Sequence, residues 1–424
     1  MLPANEWSCS GLYNRFLPWM QWQAFFLPAF RPAAGAGNSL WDFIESKSTW
    51  DQIANTSTPL SVMTGYVANN ANALDGFISF TEGYLNTGTQ TITVNKTGTG
   101  EKSGFNLIGN PYPSSVDWSK AALSNMDSTI WYRTQNKSNT YVFDTYNAAS
   151  GAGTNNNGNA DVTQDIAPLQ AVWVKVSDNF ISGTVTFNND ARIHDANRLK
   201  SGKGKNRTVR LQVSNGQNTD ETILVFNENA SDGVDGFDSP KMFVNNSSVP
   251  EMYSIVGKKK MVINGMKSFD STKVIPLGFT TAKAGTFTIS ANEITGIEGT
   301  AVVLEDTRLH KTQDLTLVPT YTFASDSVND STRFVIHLKS GNETTATTIE
   351  QQSEINIYSV GNTAIVSTSA DNANGTVTVF NLLGQSIASA SITGTKTVIE
   401  LPVGVYFVKA QTATNIETTK LIIE

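Results

Sequence analysis

Residues 376–412 read TVTVFNLLGQSIASASITGTKTVIELPVGVYFVKAQT, and this stretch decides the fold. Apolar and polar residues alternate in TVTVF and again in VYFVKA, the period of a strand with one buried face. NLLGQ sets a turn glycine, Gly384, between two such runs, which makes a hairpin. Pro402 and Gly404 then stand where a strand begins, one residue fixing the backbone and the other freeing it to re-aim the chain. Further strands are expected at Ile355–Val360, Ala364–Ser369, Thr397–Leu401 and Thr418–Glu424, so this block reads as a small sandwich that ends on a strand.

Working back toward the N-terminus, the same pattern recurs. Apolar runs at Gly76–Phe80, Gln90–Val94, Phe105–Ile108, Ile130–Arg133, Thr140–Phe143, Ala171–Val176 and Thr184–Phe187 are separated by Gly, Asn, Pro and Ser clusters. A middle block carries strands at Thr208–Val213, Thr222–Phe226, Lys273–Phe279, Gly285–Ser290, Thr300–Asp306 and Arg333–Leu338. Short helices are expected only at Leu40–Ile53 and at Trp118–Leu123, where Asp117 or Ser119 offers a cap. The loop Asn147–Asp165 has no residues suited to apolar burial and is expected to be a long exposed excursion.

A length of 424 residues implies about three domains. The reading is all-β, with consecutive β-sandwich or jelly-roll-like domains ending in a small Ig-like sandwich. Residues 38–197 form a β-rich module, 198–207 a basic linker, 208–340 a β-sandwich, 341–352 a second linker and 353–424 the terminal sandwich. Residues 1–37 are unlike the rest, and a fragment or misread start is expected there.

Only 16% of residues are charged, and short hydroxyl and amide side chains fill the gap, the composition of an all-β surface protein. The net charge of −7 argues against nucleic acid or an anionic membrane as partner. Cys9 is the single cysteine, read as a passive thiol, and it leaves no internal disulfide. No stretch has the length of uninterrupted apolar residues that a membrane span needs. The aromatic segment Phe16–Phe30 lacks the basic start and clean apolar run of a signal peptide.

Signatures of catalysis are missing. His194, His310 and His337 are far apart and belong to no zinc pattern, and no nucleophile elbow, phosphate loop or dinucleotide glycine pattern occurs. No cofactor is expected, with one opening for calcium at DGVDGFD. There Asp232, Asp235 and Asp238 either wrap a Ca²⁺ or form a capped, solvated turn before a strand-like Lys241–Val244, and the spacing favours the turn. Pro111 and Pro113 make GNPYPSS a rigid turn around Tyr112. Trp118 and Trp173 read first as buried anchors and second as a sugar-stacking platform.

Three motifs occur in order at the chain's end: Val379, Asn381, Gly384 and Gln385 in the turn; Leu401, Gly404, Tyr406 and Val408 in the next strand; and Thr418, Lys420, Leu421, Ile422 and Ile423 at the close. Together they resemble the type A C-terminal sorting domain of the type IX secretion system, over about residues 353–424. The resemblance implies a Bacteroidota-type protein, secreted or held at the outer-membrane cell surface, with the type IX machinery as partner. Gly384, Leu401, Gly404, Tyr406, Lys420, Leu421, Ile422 and Ile423 would carry the signal. FNLIGNPYPSSVDW (Phe105–Trp118), IAPLQAVWVKV (Ile166–Val176) and GTVTFNNDARIH (Gly183–His194) resemble a module found upstream of such domains in large surface proteins, with no activity attached. The expectation is a non-enzymatic adhesive, stalk or matrix protein. Alternatives are a carbohydrate-binding protein, with or without calcium and with a glycan or cell-surface ligand, and the tail of a larger secreted hydrolase.

Overall fold

The structure is a computed structural model that describes residues 20–23, 39–53, 59–69, 85–193, 207–244, 246–267, 273–297, 299–340, 355–360, 362–368, 374–394, 396–412 and 416–423. The expected strand at Gly76–Phe80, Cys9, His194, the linker at 341–352 and most of the basic linker at 198–207 lie outside the described residues. The chain divides into two compact units, Met1–Gly341 and Asn342–Glu424.

In the first unit, a five-stranded antiparallel sheet runs Ala152–Gly153, Tyr141–Asn147, Thr129–Gln135, Ala171–Lys175 and Phe105–Gly109 in spatial order. A three-stranded sheet of Gln90–Asn95, Ser182–Phe187 and Ala122–Ser124 accompanies it, and their inner faces share one core around Ile108, Trp118, Ile130, Val174, Val185 and Phe187. Tyr112 is buried at the proline turn and donates its hydroxyl to the carbonyl of Phe187 at 3.1 Å.

After residue 207 the chain builds one eleven-stranded sheet. The sheet curls back on itself. Phe323, on the end strand Thr320–Ser325, meets Phe334 on Val328–Ser340 near the opposite end, with ring centroids 4.7 Å apart. Val209, Leu211, Leu277, Phe279 and Ile289 fill the space enclosed. Right-handed strand twist accumulated over so many strands brings the ends together. The sheet is antiparallel except where Thr219–Phe226 pairs parallel with Lys259–Met266.

Three expectations are corrected. Leu40–Ile53 is not a helix: Ser39–Ile44 and Thr49–Gln52 are paired strands, joined by a 3-10 turn at Glu45–Lys47. The carboxylate of Glu45 accepts the backbone N–H groups of Thr97 and Gly104, which fixes the turn from outside the segment. At the second site the helix shrinks to one 3-10 turn, Trp118–Lys120, and Asp117 caps it by accepting from Ser119 N at 3.0 Å.

The loop 147–165 is the second correction, because it folds inward. Asn147, Ser150, Thr154 and Asn156 are buried. The buried carboxylate of Asp144 accepts from Thr134 Oγ1, Thr154 Oγ1 and the backbone N–H of Asn156. Asn147 Nδ2 donates to Asp238 O, Asn156 Nδ2 to Asp220 Oδ1, and Arg210 bridges Asp161 and Glu221. Short amides and hydroxyls satisfy buried backbone groups as well as they meet water, so a polar loop is free to be an interior one. Here it joins the strands before residue 193 to those after 207.

Third, Lys241–Val244 is not a strand. The short pairing at Ser239–Pro240 ends because Lys241 turns inward to a buried ion pair with Asp220 at 2.5 Å.

The second unit is a two-sheet sandwich. Ile355–Val360, Thr363–Thr368 and Lys396–Glu400 form one sheet; Ser386–Ile392, Gly375–Phe380, Gly404–Thr412 and Ile416–Ile423, in that spatial order, form the other. Val366, Val377, Val379, Val408 and Ala410 are among the side chains that fill the space between them.

Candidate functional site

The final described strand, Ile416–Ile423, is the edge of the four-stranded sheet and pairs only with Gly404–Thr412. Apart from Ile422 O, which the Ser359 hydroxyl takes up from the opposing sheet, no further strand among the described residues pairs with its outer rim. Alternation along it is strict: Leu421 and Ile423 point into the core, while Lys420 and Ile422 point outward, Ile422 at 58% exposure. A one-residue slip would exchange the two sets, so core burial fixes the register.

The other motif residues set up this edge. Gly404 lies opposite Ile423, and Tyr406 opposite Leu421. The Tyr406 hydroxyl donates to Pro402 O at 2.9 Å, which pins the start of the strand. A side chain at Gly404 would place its Cβ 3.0 Å from that hydroxyl, so the Tyr406 ring would have to give by a few tenths of an ångström to admit one. Leu401 is buried between the sheets, and its N–H donates to Asn362 O at 2.8 Å.

The turn motif has an equally local cause. Asn381 Oδ1 accepts from Leu383 N and Gln385 N, each at 3.0 Å, and Asn381 Nδ2 donates to Gln385 Oε1 at 2.9 Å. Gly384 sits at φ 77, the left-handed region that closes the turn. Because Phe380 lies opposite Phe407, this turn stands at the same end of the sheet as Val403 and Ile422. Leu382, Leu383, Val403 and Ile422 are all exposed there, Leu383 at 84%. Sequence reasoning missed Ser359, whose hydroxyl donates to Ile422 O at 3.1 Å from the opposing sheet. A lone serine in an alternating strand gives no signal for that role.

The structure spreads the acidic triplet over separate partners. Asp232 is exposed and pairs with Lys273, while also accepting from Lys267 N. Asp235 accepts from Ser231 N and Phe237 N, closing a turn. Asp238 is buried, accepts from Asp235 N and Gly265 N, and is pushed up to about 6 by burial. Among the described residues no group of three His, Cys, Asp or Glu side chains is placed to hold a metal ion. An ammonium on Asp232 also opposes the all-oxygen shell that calcium takes. Trp118 is a core residue whose Nε1 donates to Ser128 O at 2.9 Å, whereas Trp173 borders a cleft in the first unit. His337 is paired with Glu305 at 2.6 Å, and His310 stands in a left-handed turn at φ 53. No helix among the described residues is long and apolar enough to cross a membrane.

Comparison with known proteins follows the division of the chain. Among curated proteins none matches it. Among solved structures, a "Biofilm associated protein - BSP domain" is 10% identical with a TM-score of 0.15, covering 96% of this chain and 90% of its own. Residues 355–424 match the family described as "Secretion system C-terminal sorting domain", which makes the protein a cargo of type IX secretion, delivered to the cell surface or the medium. A second family model spans residues 23–338, most of the sequence, so the chain belongs to the family described as "Domain of unknown function (DUF8693)" and ends in a sorting domain.

Proposed function

We propose that this is a surface-displayed, non-enzymatic β protein whose first unit serves an adhesive, stalk or matrix role. Its terminal strand is the part that the export machinery grips. The observation that carries this reading is the strand Ile416–Ile423, which among the described residues pairs with a single neighbouring strand and exposes Lys420 and Ile422. An open edge invites a partner to add a strand, with backbone hydrogen bonds for affinity and outward side chains for choice. A non-enzymatic first unit is supported by its buried carboxylates being committed to partners within the fold: Asp220 to Lys241, Glu221 to Arg210 and Asp306 to Arg333.

The test is secretion of tagged variants. Deleting Thr418–Glu424 should leave the protein in the periplasm. That deletion also removes Leu421 and Ile423 from the core, so Ile422→Lys is the companion variant: it alters only the outward face and should reduce surface display while the purified domain melts as wild type does. Normal display of the truncated chain would overturn the reading.

A further inference from the structure

The first unit contains a cleft of about 1560 Å³ bounded by the Ser39–Gln52 hairpin, the outer face of the five-stranded sheet and the segment after Pro240. Rings dominate one wall. Phe43 packs edge-on against Trp173 at 4.8 Å and Trp50 at 5.4 Å, and Trp50 lies 5.9 Å from Trp173. Trp50 is 41% exposed, an unusual state for the largest apolar side chain.

The opposite character of the cleft is cationic. Eight lysine or arginine side chains line it: Lys96, Lys175 and Lys259 pair with Asp178, Lys241 with Asp220 and Lys260 with Glu101, while Arg133, Lys102 and Lys258 are in no ion pair among the described residues. Unpaired cations beside low-dielectric walls focus a field that draws anions. Lys102 and Lys258 stand exposed at the rim. Deeper in, the guanidinium of Arg133 lies 4.5 Å from the ring centre of Phe143.

Two buried donors of lining residues have no hydrogen-bond partner among the described residues: Arg133 Nη1 and Trp173 Nε1. Unpaired buried donors are uncommon and costly, and two of them belong to the walls of this one cleft. The acceptor chemistry follows from the walls. Indole and phenyl faces take the C–H faces of sugar rings, and an arginine beside them takes a carboxylate or sulfate.

We propose that this cleft binds an acidic polysaccharide, a carboxylated or sulfated glycan, with Trp50, Phe43 and Trp173 as the sugar platform and Arg133 with the rim lysines as the anion contacts. The assignment deepens the adhesive reading above and rests on it. A neutral glycan would leave Arg133, Lys102 and Lys258 unanswered, and an acidic peptide would leave the ring platform unused.

The experiment is titration calorimetry on the full chain with oligogalacturonate, a heparin-derived oligosaccharide, a neutral cello-oligosaccharide and polyglutamate. At least one acidic oligosaccharide should bind, while the neutral sugar and polyglutamate should not. Trp50→Ala should weaken that binding by about tenfold, the scale of one lost stacking ring. Lys102→Ser combined with Lys258→Ser should weaken it several-fold and flatten its dependence on salt. All three side chains are exposed, so these variants retain the fold, which circular dichroism checks. Absence of acidic-sugar binding at millimolar concentration, equal binding of the neutral sugar or polyglutamate, or indifference to both variants would overturn the assignment. Cleavage of a bound oligosaccharide would instead sink the non-enzymatic reading and leave the cleft assignment standing.

Discussion

The two units are both stacks of strands, yet they bury different chemistry. The first is laced with interior polar groups: Asp144, Asp220, Glu221, Arg210 and Arg333 are all buried and bonded. In the second, Thr368 is the one buried polar residue among those described, and the core is otherwise aliphatic with Tyr406. Exposed large hydrophobics run the other way. Of eighteen among the described residues, nine lie in the short second unit. Buried ion pairs and amides demand specific geometry, which suits a unit that must hold a shaped cleft. An aliphatic core tolerates adjustment, and an apolar, open-edged surface suits a module made to be gripped.

Breaking a buried pair in the first unit gives the largest expected effect. Asp220→Ala leaves Lys241 as an uncompensated interior charge and should cost about 3–5 kcal/mol. Calorimetry should show the first unit's transition lowered and that of the sorting domain unmoved. In the second unit, Leu421→Ala removes edge-strand packing and should cost about 2–5 kcal/mol, read in the sorting domain's own melt. Gly404→Val forces a side chain against the Tyr406 hydroxyl and should cost about 1–3 kcal/mol. Tyr406→Phe loses only the bond to Pro402 and should cost about 1 kcal/mol.

A pH series sharpens the same contrast at smaller amplitude. Burial, with Asp220 adding to it against the opposing pull of Lys241, pushes Glu251 up to about 7 from its ordinary 4.5. Between those values the folded chain holds a proton that the unfolded chain has released, so stability of the first unit should fall as pH rises from 4.5 to 7. Glu251→Gln should flatten that slope in denaturant titrations.

Much of the terminal module was legible because its causes are local. The strands at Ile355–Val360 and Gly404–Thr412 coincide with the reading from alternation alone. The N-x-x-G-Q turn is explained by Asn381 bonding its own neighbours and by one left-handed glycine. In the first unit, strands such as Thr300–Asp306 were equally plain, whereas Glu251–Val256 and Lys259–Met266 were missed. Their apolar residues are buried on both faces, so the period-two signal is lost.

Sequence by itself determined the strand-rich composition, the turns and the sorting motif, because side-chain alternation, glycine conformation and Asx bonding act over a few residues. Tertiary structure decided what lies between distant segments: whether the polar loop 147–165 faced water or its neighbours, that Asp232 pairs with Lys273 while Asp238 is buried against Gly265, and that Trp50, Arg133 and Lys258 share one cleft. A polar side chain is content with water or with a buried partner, and only the arrival of residues far along the chain selects between the two.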